Sequence, residues 1–127
     1  MLIQEQAALI FDAISPGLPA DWDRVILYEE CLPSSYSVEY YVEAAGSTVK
    51  CFDLPGAQDE ELLSRFARVN DLIMPLRVAE GDPGYWSNIT IVWERGSLGV
   101  LFDSADLLES GYEHKKLWAN RFLGRSD

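Results

Sequence analysis

The chain has 127 residues, of which 48% are hydrophobic and 24% charged. That suffices for a single domain, residues 1–127, to bury a core without disulfides or metals, and it excludes a disordered chain. The 21 Asp and Glu against 10 Lys and Arg give a net charge of −11. A field of this sign argues against direct binding of nucleic acid or an anionic membrane and favours a basic partner.

Residues 2–14 read as a first helix. Leu2, Gln6, Leu9, Ile10, Ala13 and Ile14 recur at three and four and make one apolar stripe. Pro16 and Pro19 stop it. Trp22 to Leu32 opens a sheet, and apolar residues on both sides at Val25 to Tyr28 suggest a strand covered on both faces over part of its length. Tyr36 to Glu43 alternates cleanly, with Val38, Tyr40 and Val42 on one face and Ser37, Glu39, Tyr41 and Glu43 on the other. Thr48 to Asp53 reads as a third strand.

Gln58 to about Glu80 carries the longest helical pattern, with Leu62, Phe66, Val69, Ile73 and Leu76 towards the core. Asp59, Glu60 and Glu61 suit its first turn, where the helix dipole favours negative charge. Pro75 should kink this helix or end it early. Gly81 to Gly84 is a turn by composition. From Ser87 the period changes to two, placing Ile89, Ile91 and Trp93 on one face. Leu98 to Asp103 pairs with that strand through a turn at Glu94 to Ser97. Ser104 to Gly111 reads as turn-like, with one helical turn at Ala105 to Glu109. Tyr112 to Leu123 forms a last helix, with Tyr112, Lys115, Trp118, Ala119 and Phe122 on one stripe, Gly124 at its end and Ser126-Asp127 as a tail. The order is α-βββ-α-ββ-α. This predicts an α+β fold: an antiparallel sheet of about five strands, helices packed on one face, and the other face largely wet.

Few residues point to catalysis. No Gly-rich phosphate loop or nucleophile elbow is present, and the single histidine, His114, lies between Glu113 and two lysines on the last helix. Glu29 and Glu30 are adjacent in a strand, so they point to opposite faces and cannot act as a pair. Asp21 and Asp23 are explained as a loop capping a strand. Cys31 and Cys51 are expected to be buried and reduced, and no metal ligand set or cofactor motif is evident. Asn88-Ile89-Thr90 matches a glycosylation pattern, accidental in a chain whose N-terminus has no basic, secretory-type start. No apolar run approaches the roughly 20 residues that span a bilayer. These features predict a cytoplasmic protein.

What remains is a surface. Glu39, Tyr41 and Glu43 share a strand face, and Glu30, Asp53, Glu94 and Asp103 lie at strand ends or on polar sides. An aromatic amid carboxylates has the makeup of a protein-binding patch, the ring as anchor and the charges for steering. An ordinary solvated sheet face has the same pattern, as would a carboxylate-based or metal-dependent enzyme or an oligomeric scaffold.

Four segments carry a resemblance. They are Leu18-Pro19-Ala20-Asp21-Trp22-Asp23-Arg24-Val25-Ile26-Leu27-Tyr28, Ser37-Val38-Glu39-Tyr40-Tyr41-Val42, Trp86-Ser87-Asn88-Ile89-Thr90, and Tyr112-Glu113-His114 through Trp118 to Phe122-Leu123-Gly124. In this order they resemble the YezG-like family of bacterial antitoxin and immunity proteins; Pro75 and the short tail depart from it. The resemblance implies a small cytoplasmic, non-enzymatic protein without cofactor that neutralises the C-terminal domain of a cognate toxin, often a basic nuclease. It supplies no fixed toxin-binding residues. Trp86 and Asn88 read as scaffold: Trp86 packs where helix meets sheet and Asn88 bonds turn backbone.

Overall fold

The computed structural model describes residues 3–77, 82 and 85–124. Its elements run α1 (Ile3–Ile14), β1 (Arg24–Cys31), β2 (Tyr36–Ala44), β3 (Ser47–Lys50), α2 (Asp59–Ile73), β4 (Asn88–Glu94), β5 (Ser97–Asp103) and α3 (Leu107–Leu123). The five strands form one antiparallel sheet in the order β3-β2-β1-β4-β5. The predicted class and element order hold. Leu2, the stretch from Val78 through Gly81, Pro83-Gly84 and the C-terminal tail lie outside the described residues. No helix among the described residues is long and apolar enough to cross a membrane.

The main core lies between one face of the sheet and the α1–α2 pair. Val25 and Leu27 of β1, Val38, Tyr40 and Val42 of β2, and Ile89, Ile91 and Trp93 of β4 meet Ile10 and Ile14 of α1 and Leu62, Phe66 and Val69 of α2. The period-two reading of β1, β2 and β4 therefore selects the residues buried against the helices, whereas Leu98 and Phe102 on the corresponding face of β5 stay exposed. Gln6 is buried with it and donates from Nε2 to the Leu72 carbonyl at 2.5 Å, tying α1 to the last turn of α2. Leu9, assigned to the α1 stripe, is exposed instead; its place is taken by Ala7, which sits within the apolar arc.

The early end expected at Pro75 is observed, and two other boundaries differ from expectation. Pro75 ends α2 at Ile73, and the chain continues as a 3₁₀ turn over Met74–Leu76; a ring without an N–H cannot extend the α-helical ladder. The third strand stops at Lys50. Cys51–Asp53 form a 3₁₀ turn that buries Cys51 and leaves Phe52 and Asp53 exposed. The last helix begins five residues early at Leu107, because Asp106 caps it by accepting from the Leu108 and Glu109 amides, and a non-helical Ser110 joins the two stretches. Gly124 ends it in the left-handed conformation, at φ 69°.

The largest difference concerns layers. The helices do not all pack on one face. α3 lies across the second face of the sheet, where Trp118 is buried with Ile26, Tyr28 and Tyr41, backed by Val92, Phe122 and Leu123. The Trp118 ring sits 4.6 Å from Tyr28, and its Nε1 donates to Thr90 Oγ1 at 2.9 Å. The two-sided apolar run Val25 to Tyr28 is the sequence counterpart of this sandwich: Val25 and Leu27 face α1 and α2, and Ile26 and Tyr28 face α3.

Candidate functional site

Strand register decides which polar residues meet. Opposed residues of antiparallel strands project to the same side. Tyr28 lies opposite Glu39 and Thr90, Ile26 opposite Tyr41 and Val92, and Arg24 opposite Glu43 and Glu94. Glu30 lies opposite Asn88, which in turn opposes Asp103. Six of the seven residues singled out from sequence, namely Glu30, Glu39, Tyr41, Glu43, Glu94 and Asp103, therefore share one face. Asp53 is separate, in the turn after β3.

That face is the one beneath α3, and it is not wet. Glu39 is 8% exposed and Tyr41 2%. Glu39 is paired with Lys115 of α3 and with Lys50 at 3.2 Å, and it accepts from the Tyr41 hydroxyl at 2.7 Å. A carboxylate this deep needs such partners to offset its lost hydration. Glu43 accepts from Arg24 Nε at 3.0 Å and Nη2 at 2.6 Å, and the same Nη2 donates to the Phe122 carbonyl at 2.9 Å. Arg24 thereby ties β2 to the last turn of α3. Glu30 accepts from the Tyr28 hydroxyl at 2.7 Å, and burial together with this carboxylate raises the Tyr28 pKa. Asp103 lies 3.7 Å from His114 Nδ1.

The site thus has two parts. Glu39 and Tyr41 are enclosed and hold α3. Around them Glu30 and Glu43 are half-buried, and Glu94 and Asp103 are exposed. Between α3 and the β4–β5 pair runs a groove of about 260 Å³ lined by Thr90, Leu101, Phe102, Leu117, Trp118 and Phe122, among others. Sequence reasoning missed this groove, because the exposed Leu101 and Leu117 belong to no periodic core stripe.

The segment Trp86-Ser87-Asn88 leads into β4 at the end where Asn88 lies opposite Asp103. Trp86 is buried, donates from Nε1 to the Leu76 carbonyl at 3.2 Å, and packs on Phe102 at 5.3 Å. The Ser87 hydroxyl donates to the Ala105 carbonyl at 2.5 Å, and Asn88 Nδ2 reaches Ser87 Oγ and the Asp103 carbonyl. These residues fix where α2, β4 and the start of α3 meet.

Other reactive groups lie apart. Glu29 points into the main core, fully buried, with Oε1 unpartnered and Oε2 accepting from the Cys31 thiol at 3.3 Å. Burial pushes its carboxyl up to about 7, against smaller opposing effects of Cys31 and Arg77. Burial likewise raises the Cys31 thiol to about 12, and the Cys51 thiol upward. A cleft of about 330 Å³ between the Pro16–Pro19 and Leu54–Ala57 loops is lined by Tyr40, Cys51, Glu61 and Arg65. Among the described residues no three His, Cys, Asp or Glu side chains gather as a metal-binding group.

No family model matches the chain. It is similar to a protein described as Immunity protein YezG from Bacillus spizizenii, with 25% identity over 137 aligned residues that cover 91% of this chain and 78% of that protein. The four motifs and this similarity point the same way: the chain resembles the YezG-like family along nearly its whole length.

Proposed function

We propose that this chain is an immunity protein that binds a cognate toxin domain and neutralises it by occlusion. The similarity to Immunity protein YezG over 91% of the chain carries this reading. The acidic face gives it a physical form. A net charge of −11 and a set of carboxylates on one side of a sheet suit a toxin domain with a basic surface, as a nuclease has for its phosphates. Glu94 and Asp103, exposed at the two ends of the β4–β5 pair, and the half-buried Glu30 and Glu43 are the proposed contacts. Glu39 and Tyr41 contribute by holding α3 in place. The protein acts as a binding module in the cytoplasm and needs no cofactor of its own.

Co-expression with the toxin domain encoded beside the gene tests this directly. The expected result is a complex that survives purification and a host that grows. Death of the host with both proteins folded and present would refute the reading.

A further inference from the structure

The two edges of the sheet differ. β3, at one edge, has four residues, carries Lys50 and passes at once into a 3₁₀ turn. Short length and a lysine are the usual protections of an edge. β5, at the other, is seven residues long and reads Ser97-Leu98-Gly99-Val100-Leu101-Phe102-Asp103. It has no Lys, Arg or Pro, and no strand lies beyond it among the described residues. Leu98, Leu101 and Phe102 are 38–42% exposed, so apolar surface is left open on both faces of the edge.

The free backbone groups can be assigned. The Cys31 amide donates to the Ser87 carbonyl, so odd-numbered residues at this end of β4 turn their backbone groups to β1 and even-numbered ones turn theirs to β5. With Asn88 opposite Asp103 and Thr90 opposite Leu101, the amides and carbonyls of Leu98, Val100 and Phe102 face outward.

We propose that β5 is the docking edge for an extended, basic segment of the toxin, which adds a sixth strand to the sheet; this rests on the immunity reading above. Main-chain bonds to Leu98, Val100 and Phe102 would supply register and affinity. On the α3 side, alternate side chains of the added strand would enter the groove beside Leu101 and Leu117. Charge selects the occupant. Glu94 and Asp103 mark the two ends of the edge, roughly 20 Å apart along the strand, and suit Lys or Arg at both ends of the incoming segment. A second copy of this chain would bring another −11 to the same edge, which disfavours self-pairing.

The test uses the co-purified toxin complex and hydrogen exchange at single amides. The expected result is strong added protection at Leu98, Val100 and Phe102 in the complex, with Gly99 and Leu101, already bonded to β4, little changed. Val100→Pro, which removes an outward N–H and no bond to β4, should keep the fold and weaken the complex about tenfold or more. A stable complex without added protection at these three amides would overturn the strand proposal while leaving the immunity reading intact. Absence of any complex with the wild-type chain would remove both. A dimer of the chain alone that Val100→Pro dissolves would show a second copy at the edge and also overturn the proposal.

Discussion

Glu29 shows how one side chain can set the pH response of the whole domain. It is fully buried, and its carboxyl rises from 4.5 to about 7 because the charged form loses its water. A folded-state value above the unfolded one means the contribution to stability is fully present below about pH 4.5 and is lost as pH rises through about 7. The difference amounts to about 3 kcal/mol. Glu29→Gln should therefore be more stable than the wild type at pH 8, with the gap closing towards pH 5, as read from urea midpoints at each pH. The sequence separates Glu29 from Glu30 by strand parity and puts it on the side of Val25, Leu27 and Cys31, but does not show how completely that position is enclosed. Ala45 offers a second residue-scale case. It sits at φ 52° in the two-residue turn between β2 and β3, a conformation that costs a side-chain-bearing residue about 1–2 kcal/mol and suits Asn better. Ala45→Asn should raise stability by up to about 1 kcal/mol, measured in the same way.

At the scale of elements, α3 is held by few groups. Trp118 is its one buried residue, flanked by the Lys115–Glu39 pair and the Arg24 bond to the Phe122 carbonyl. Truncating a buried tryptophan costs about 3–5 kcal/mol. Trp118→Ala should release α3 while the α1–α2 core persists. Exchange would then quicken over residues 107–123, and the Glu39–Tyr41 pair would become accessible, while β1 and β4 amides stay protected. If Trp118→Ala leaves exchange in α3 unchanged, the helix is held by something other than this contact. The sequence announces α3 by its stripe of Lys115, Trp118, Ala119 and Phe122 and announces the covered second face by Ile26 and Tyr28 between Val25 and Leu27. It does not join the two, since periodicity says which side of an element is buried and never against what. The same limit explains Glu39. An alternating polar position in a strand reads as solvent-facing, and the lysines that enclose it lie 11 and 76 positions further along the chain. Tyr112 is the converse error: it fits the stripe of Lys115, Trp118 and Phe122 but is exposed, two residues after the non-helical Ser110.

For the molecule as a whole, charge and shape act together. The exposed carboxylates Glu94 and Asp103 flank the open edge, and rim charges of this kind govern encounter more than residence. The double variant Glu94→Lys and Asp103→Lys should fold as the wild type does and slow association with the toxin about tenfold at low salt. Surface plasmon resonance separates that effect from dissociation, and an unchanged association rate would remove these two residues from the contact. The arrangement of layers also has a consequence in time. β1 is the middle strand and is made early, yet Ile26 and Tyr28 are covered by Trp118, some 90 positions downstream. A growing chain that has reached only Asp103 can pair all five strands and still shows a bare aromatic strip over its centre. Closure of that strip waits for the last stretch to leave the ribosome, so chaperone capture or premature association should concentrate on chains stalled between the end of β5 and Trp118.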